Sequence, residues 1–127
     1  MTCLRWRTRS DPLITLWRQV VHARDHETCQ RCGRRPPYKL DAAHILSRGS
    51  APKLKYDPMN GVLLCMVCHR WADGEGTAFR KWVEEQWPGR VEKLRMMERF
   101  RGKTDKTVVR LVLRAELARL KREEVTG

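Results

Sequence analysis

Apolar positions recur at helical spacing in four stretches of the chain and at strand-like spacing in two. Leu13, Trp17, Val20 and Val21 fall on one side of a 3.6-residue helix. Ser10-Asp11-Pro12 supplies a capping oxygen followed by proline at the first helical position, so a helix is predicted from about 12 to 24. Beyond it, Arg34-Arg35-Pro36-Pro37 reads as an irregular loop. Lys39 to Leu46, with Leu40, Ala42 and Ile45, suits a short strand, and Ser47 to Pro58 is rich in loop-forming residues. Asn60-Gly61 signals a turn, after which Val62-Leu63-Leu64-Cys65 predicts the end of a second strand, with a helix opening over Met66 to Trp71.

The last third is helical by pattern. Phe79, Trp82, Val83 and Trp87 form one stripe, stopped by Pro88-Gly89. Val91, Leu94, Met97 and Phe100 form a second, ending near Gly102. Val109, Val112, Leu113, Leu117 and Leu120 form a third, from about Asp105 to Glu124. These aromatic and methionine stripes read as packing faces. The opposite face of the last helix carries Arg114, Arg119, Lys121 and Arg122, and packing on the domain, pairing with a partner and lying along nucleic acid all remain open for it.

Chain length sets the scale of the assembly: 127 residues suit one small domain, 1–127, with a core at about 27–75 between an N-terminal helix (about 12–24) and C-terminal helices (about 77–124). The longest unbroken apolar run, Gly61 to Cys68, is far too short for a membrane span, and no apolar signal core follows the basic start. The expected location is therefore intracellular, with no membrane partner. Lysine and arginine total 27 against 15 acidic residues, a net charge of +12. That excess stores self-repulsion which a polyanion relieves, and nucleic acid also releases counterions when it binds.

Cysteine spacing narrows the chemistry. Cys29-Gln-Arg-Cys32 and Cys65-Met-Val-Cys68 are two C-x-x-C knuckles, which in a chain without a secretory signal read as one four-thiolate zinc site and not as disulfides. Gly33 supplies backbone freedom for the turn after the first pair. A redox C-x-x-C needs one pair and a βαβ context, which the pattern lacks. Cys3 is left over as an incidental thiol.

Between the knuckles lie His44 and Asn60, and His69 directly follows Cys68. This order, His near the first strand, Asn in the following loop and His beside the last cysteine, resembles the HNH nuclease family. The likeness spans residues 13–90. Asp41-Ala-Ala-His-Ile-Leu-Ser-Arg-Gly-Ser-Ala-Pro and Tyr56-Asp57-Pro58-Met59-Asn60 are similar to NinG-like phage recombination nucleases, and Phe79-Arg80-Lys81-Trp82 to short phage HNH endonucleases.

The resemblance implies an α+β fold, a ββα-metal (His-Me finger) core on a four-cysteine zinc knuckle, flanked by several helices. It implies metal-dependent hydrolysis of DNA phosphodiesters in phage DNA processing, packaging or recombination, alongside terminase or other phage proteins in the host cytoplasm. His44 matches the general base and His69 the metal ligand. Asn60 matches the loop residue that either orients His44 or ligates the cation.

One position departs from the family: Ala43 stands where many members carry a metal-binding Asp or His. Asp41 shares its strand face with Ala43 and is the candidate substitute, directly or through water, for a catalytic Mg2+ or Mn2+ (or Ni2+, Co2+ or Zn2+). Alternatively, His44 itself ligates the metal. Arg48, Lys53, Lys55 and Arg70 are the candidate phosphate contacts. The competing readings are a noncatalytic zinc-dependent DNA- or RNA-binding module, and an assembly partner docking through its helices.

Overall fold

In the computed structural model, which describes residues 11–126, an antiparallel pair of strands is buried between two helical layers. Helix α1 spans Pro12–Arg24 and strand β1 Leu40–His44. Residues 45–60 include two single 3-10 turns, Pro52–Leu54 and Pro58–Asn60, before strand β2 at Gly61–Cys65. Helices α2 (Met66–Gly74), α3 (Gly76–Gln86), α4 (Arg90–Phe100) and α5 (Lys106–Thr126) follow. The described residues are thus α+β, with five α-helices and one two-stranded sheet. Ser10 and Cys3 lie outside them.

Local chemistry accounts for these limits. Asp11 accepts a hydrogen bond from the Leu13 amide at 2.9 Å and Pro12 occupies the first helical position, so α1 starts where its capping sequence directs. Gly33 takes a φ of 82°, a left-handed conformation open to glycine, and turns the chain after the first knuckle. The strands pair from Leu40 opposite Cys65 to His44 opposite Gly61.

A bare two-stranded ribbon is marginal in water, and here both faces are covered. Ala42 and Leu63 point toward α1 and α5, joining Leu13, Trp17, Val20, Leu113 and Leu120. Ala43, Val62 and Leu64 point the other way, toward Cys68, Phe79, Val83 and Leu94. All five residues of β2 are buried, which explains its unbroken apolar run. Helix α5 therefore packs on α1 through Leu113 and Leu120; its role is at least partly architectural.

The approach of α1 to β2 depends on Gly61. A Cβ at that position would stand 2.6 Å from Cζ2 of Trp17 and 2.8 Å from Cγ2 of Val21. With no side chain there, Trp17 lies flat over the start of the strand pair, 1% exposed, and donates its indole N–H to the Asp57 carbonyl at 2.8 Å. Arg24 also joins α1 to the sheet: its guanidinium reaches both oxygens of Asp25 and the carbonyls of Pro58 and Gly61. Among the described residues no helix is long and apolar enough to cross a membrane.

Candidate metal centre and imidazole cluster

Each cysteine pair is held by backbone that the fold fixes independently. In the first knuckle the Cys29 amide bonds to the Arg34 carbonyl at 2.8 Å and the Gly33 amide to the Cys29 carbonyl at 2.9 Å. The Gln30 amide reaches the Leu63 carbonyl at 2.9 Å, tying this turn to β2. Cys65 ends β2 and caps α2, and Cys68 lies in that helix's first turn.

The result is one cluster. The four sulfurs of Cys29, Cys32, Cys65 and Cys68 all lie within 4.8 Å of one another. Cys32 and Cys65 are 3.6 Å apart, far beyond a disulfide bond but close to the spacing of about 3.75 Å expected for two thiolates on a tetrahedral zinc with 2.3 Å bonds. The cluster is placed to hold a metal ion such as zinc.

Positive groups surround the sulfurs. Arg31 points a guanidinium nitrogen at Cys68 Sγ (3.5 Å) and stacks over Trp71, while Arg34 points one at Cys65 Sγ (3.7 Å). Burial acts to raise the Cys65 thiol, but the Cys68 amide and the Arg34 donor outweigh it and bring the pKa down to about 6. Burial pushes Cys68 up to about 12.

His69 directly follows Cys68 on α2, whereas His44 lies at the far end of the strand pair, opposite Gly61. His44, at the end of β1, stacks on Trp17 with ring centroids 4.0 Å apart and planes 8° from parallel. Its Nε2 lies 2.9 Å from the Lys55 carbonyl, which can only accept, so Nε2 carries the hydrogen and Nδ1 the lone pair. Burial, followed by the charges of Arg48 and Arg18, pushes the His44 pKa down to about 4, so the ring is neutral at pH 7.

His69 stands on α2 between two carboxylates. Nδ1 is 3.4 Å from Asp41 Oδ2 and Nε2 is 3.7 Å from Asp73 Oδ1, one helical turn further on. The hydrogen bond with Asp41 raises the His69 pKa, against burial. For Asp41, burial acts to raise the pKa, but the His69 bond and the His69 and Arg18 charges leave it lowered. The Asp41 charge acts on both imidazoles, so the carboxylate lies within electrostatic reach of each.

Asn60 does something different from either role expected of it. The side chain is fully buried, accepts from the Leu46 amide at 2.8 Å and donates to the Leu46 and Leu54 carbonyls at 3.0 and 3.4 Å. Its amide thus clasps the loop of residues 45–60 from inside, through the backbone of Leu46 and Leu54. The expectation that Asn60 ligates a cation or bonds directly to His44 is corrected accordingly: with every amide atom engaged by backbone, it positions the loop whose Lys55 carbonyl orients His44.

The four basic candidates are dispersed. Arg48 is exposed and its charge reaches His44. Lys55 places its ammonium 5.0 Å from the Tyr56 ring. Lys53 bonds through its amide to Glu98 and lines a recess with Arg101, Val108 and Val112, on the α4–α5 side. Arg70 is exposed on α2 directly after His69.

Sequence reasoning passed over Trp17, Arg18 and Asp73 in this setting. Asp73 had a legible signal, being four residues beyond His69 on a predicted helix. Trp17 and Arg18 had none, because only the packing of α1 on the sheet brings them to the imidazoles. No family model, no curated protein and no solved structure matches the chain.

Proposed function

We propose that the protein is a metal-dependent DNA endonuclease of the HNH type, hydrolysing phosphodiester bonds. The observation that carries this reading is Asp41, a half-buried carboxylate 3.4 Å from His69 and within electrostatic reach of His44, on a strand pair and helix joined by a four-thiol clamp. The clamp suits a structural zinc, since all four ligands are thiolates and no position is open to water.

His44 is the base in this reading. Its Nδ1 lone pair is free to take a proton from water while Nε2–H stays on Lys55. The stack on Trp17 fixes the ring plane, and with it the direction of the in-plane Nδ1 lone pair. A phosphodiester beside the ring offsets the Arg48 and Arg18 charges that, after burial, hold its basicity down. The base therefore strengthens when substrate arrives.

Asp41 and His69 are the residues that would hold the catalytic cation. Their 3.4 Å separation is near the roughly 3 Å between adjacent ligands of an octahedral ion with bonds of about 2.1 Å. Asp73 on the opposite ring nitrogen is the kind of carboxylate that orients a ligating imidazole. A divalent ion held by Asp41 and His69 would supply Lewis-acid charge for phosphodiester hydrolysis. A 5′ phosphate is the expected product.

Supercoiled plasmid incubated with the protein, with and without Mg2+ or Mn2+, tests the reading. With zinc-loaded protein, cleavage is expected when Mg2+ or Mn2+ is added and not when it is withheld, EDTA serving to stop the reaction, with a loss of about 10²-fold or more in His44→Ala. Cleavage that survives His44→Ala overturns the assignment of the base. Tight DNA binding without cleavage under any divalent metal favours the noncatalytic zinc module.

A further inference from the structure

Helix α1 carries two arginines that the structure treats in opposite ways. Arg24 is saturated: Nε and Nη2 meet the two oxygens of Asp25 at 2.9 and 3.0 Å, and the remaining donors reach two carbonyls. Arg18 is not. Its Nε is buried without a hydrogen-bond partner, and its nearest anion, Asp41 Oδ1, is 3.7 Å away. That distance is Coulombic contact and not a hydrogen bond. An arginine that holds two elements together through a carboxylate normally does so as a two-pronged fork, as Arg24 does.

Arg18 also acts on the two histidines through its charge. Its charge works with burial and Arg48 to lower the pKa of His44, and acts against the Asp41 bond that leaves His69 raised. The side chain is 41% exposed and also lines an open recess of about 640 Å3 between α1 and α5, where Arg35 and Lys121 stand with Glu27 and Glu124. With Nε itself buried, the donors open to a ligand are those of the terminal Nη nitrogens, on a guanidinium 3.7 Å from the carboxylate that meets His69 at 3.4 Å, and such a pair matches the nonbridging oxygens of a phosphodiester.

We infer that Arg18 holds the phosphate of the bound nucleic acid at the His44–Asp41–His69 edge, a substrate contact supplied by α1. The inference rests on the nuclease reading for where the phosphate sits, but the contact can be measured without cleavage. Asp41 keeps the guanidinium in place in the free protein, and the phosphate takes the donors that Asp41 leaves unspent.

The test is binding of a fluorescein-labelled DNA duplex to the zinc-loaded protein with no Mg2+ or Mn2+ added, followed by anisotropy between about 50 and 200 mM salt. Arg18→Met is expected to reduce the slope of log affinity against log salt by about 0.9, the value of one phosphate contact, whereas Arg18→Lys retains it. The same loss is expected when Arg18→Met is placed in an Asp41→Asn background. Where cleavage is measurable, kcat/KM falls by about 10²-fold in Arg18→Met. Thermal melts check folding, and Arg18→Gln takes the place of Arg18→Met if the latter melts early.

An unchanged slope overturns the inference, as does a slope loss that disappears in the Asp41→Asn background, which would make Arg18 a support for Asp41. A slope loss in a protein that never cuts DNA leaves the phosphate contact standing and refutes the nuclease. Cleavage by the wild type with no slope change in Arg18→Met refutes Arg18 alone.

Discussion

Replacing Asn60 with alanine separates its architectural role from a chemical one. The substitution removes three hydrogen bonds from a fully buried side chain and leaves the Leu46 amide and the Leu46 and Leu54 carbonyls without that partner. An unmatched buried polar group costs about 1–3 kcal/mol. The 3.4 Å bond to Leu54 is weak, so two groups dominate and the expected loss is about 3–4 kcal/mol. For a chain of this size, at about 4 °C per kcal/mol, the melting temperature should fall by roughly 12–16 °C. Thermal denaturation followed by circular dichroism, with zinc in excess so that metal loss does not contribute, measures it. A variant that melts within about 3 °C of the wild type yet no longer cuts DNA would refute the clasp, and would mean that the amide acts on the substrate or the cation.

Two further outcomes follow from the site. His44 has a folded pKa of about 4 against about 6.5 unfolded, so the unfolded chain binds the extra proton between those values. Stability should therefore be full above pH 6.5 and fall as the pH drops toward 4, by about 2 kcal/mol after allowing for the ring's partial exposure. Urea melts across that window, compared with His44→Gln, check it, and equal pH dependence in both proteins refutes it. His69, with its raised pKa, contributes in the opposite sense, losing its stabilisation as the pH rises through the folded value. Stripping the metal from the thiol cluster should abolish cooperative melting and restore it when zinc is returned, because the knuckles tie the turn at Gln30 to β2 and cap α2. A chelated protein with an unaltered melt would show that the thiols hold no stabilising ion.

Periodicity and capping made much of the fold legible. Helix α1 occupies the predicted residues because Asp11 and Pro12 dictate its start and its apolar stripe has one period throughout. Strand β1 is shorter than predicted, Leu40–His44 in place of Lys39 to Leu46, since Ile45 and Leu46 leave the ladder to meet the backbone and side chain of Asn60. Helix α2 opens over Met66 to Trp71 as predicted and ends at Gly74. Local spacing also brought the four thiols into view. The function of Asn60 was not legible, because an Asn before Gly carries the same signal whether its amide faces a ligand, a histidine or a loop. Arg18 was hidden for a related reason: which of two successive α1 residues stacks and which reaches Asp41 depends on the helix's rotation against the sheet. Asp41 is the intermediate case. Strand alternation placed it on the Ala43 face, and its contact with His69 follows only once α2 is docked.

The layering of α5 on α1, and of α1 on the strand pair, gives the distal helix a say in the behaviour of a histidine far upstream. A chain ended before Lys106 would bare Leu13, Trp17 and Val20 to water. The indole against which the His44 ring rests would then lose its backing. Trimming at one terminus would thus loosen the imidazole without touching any group beside it, and a shortened protein could keep its thiol clamp while losing the alignment of its proton acceptor.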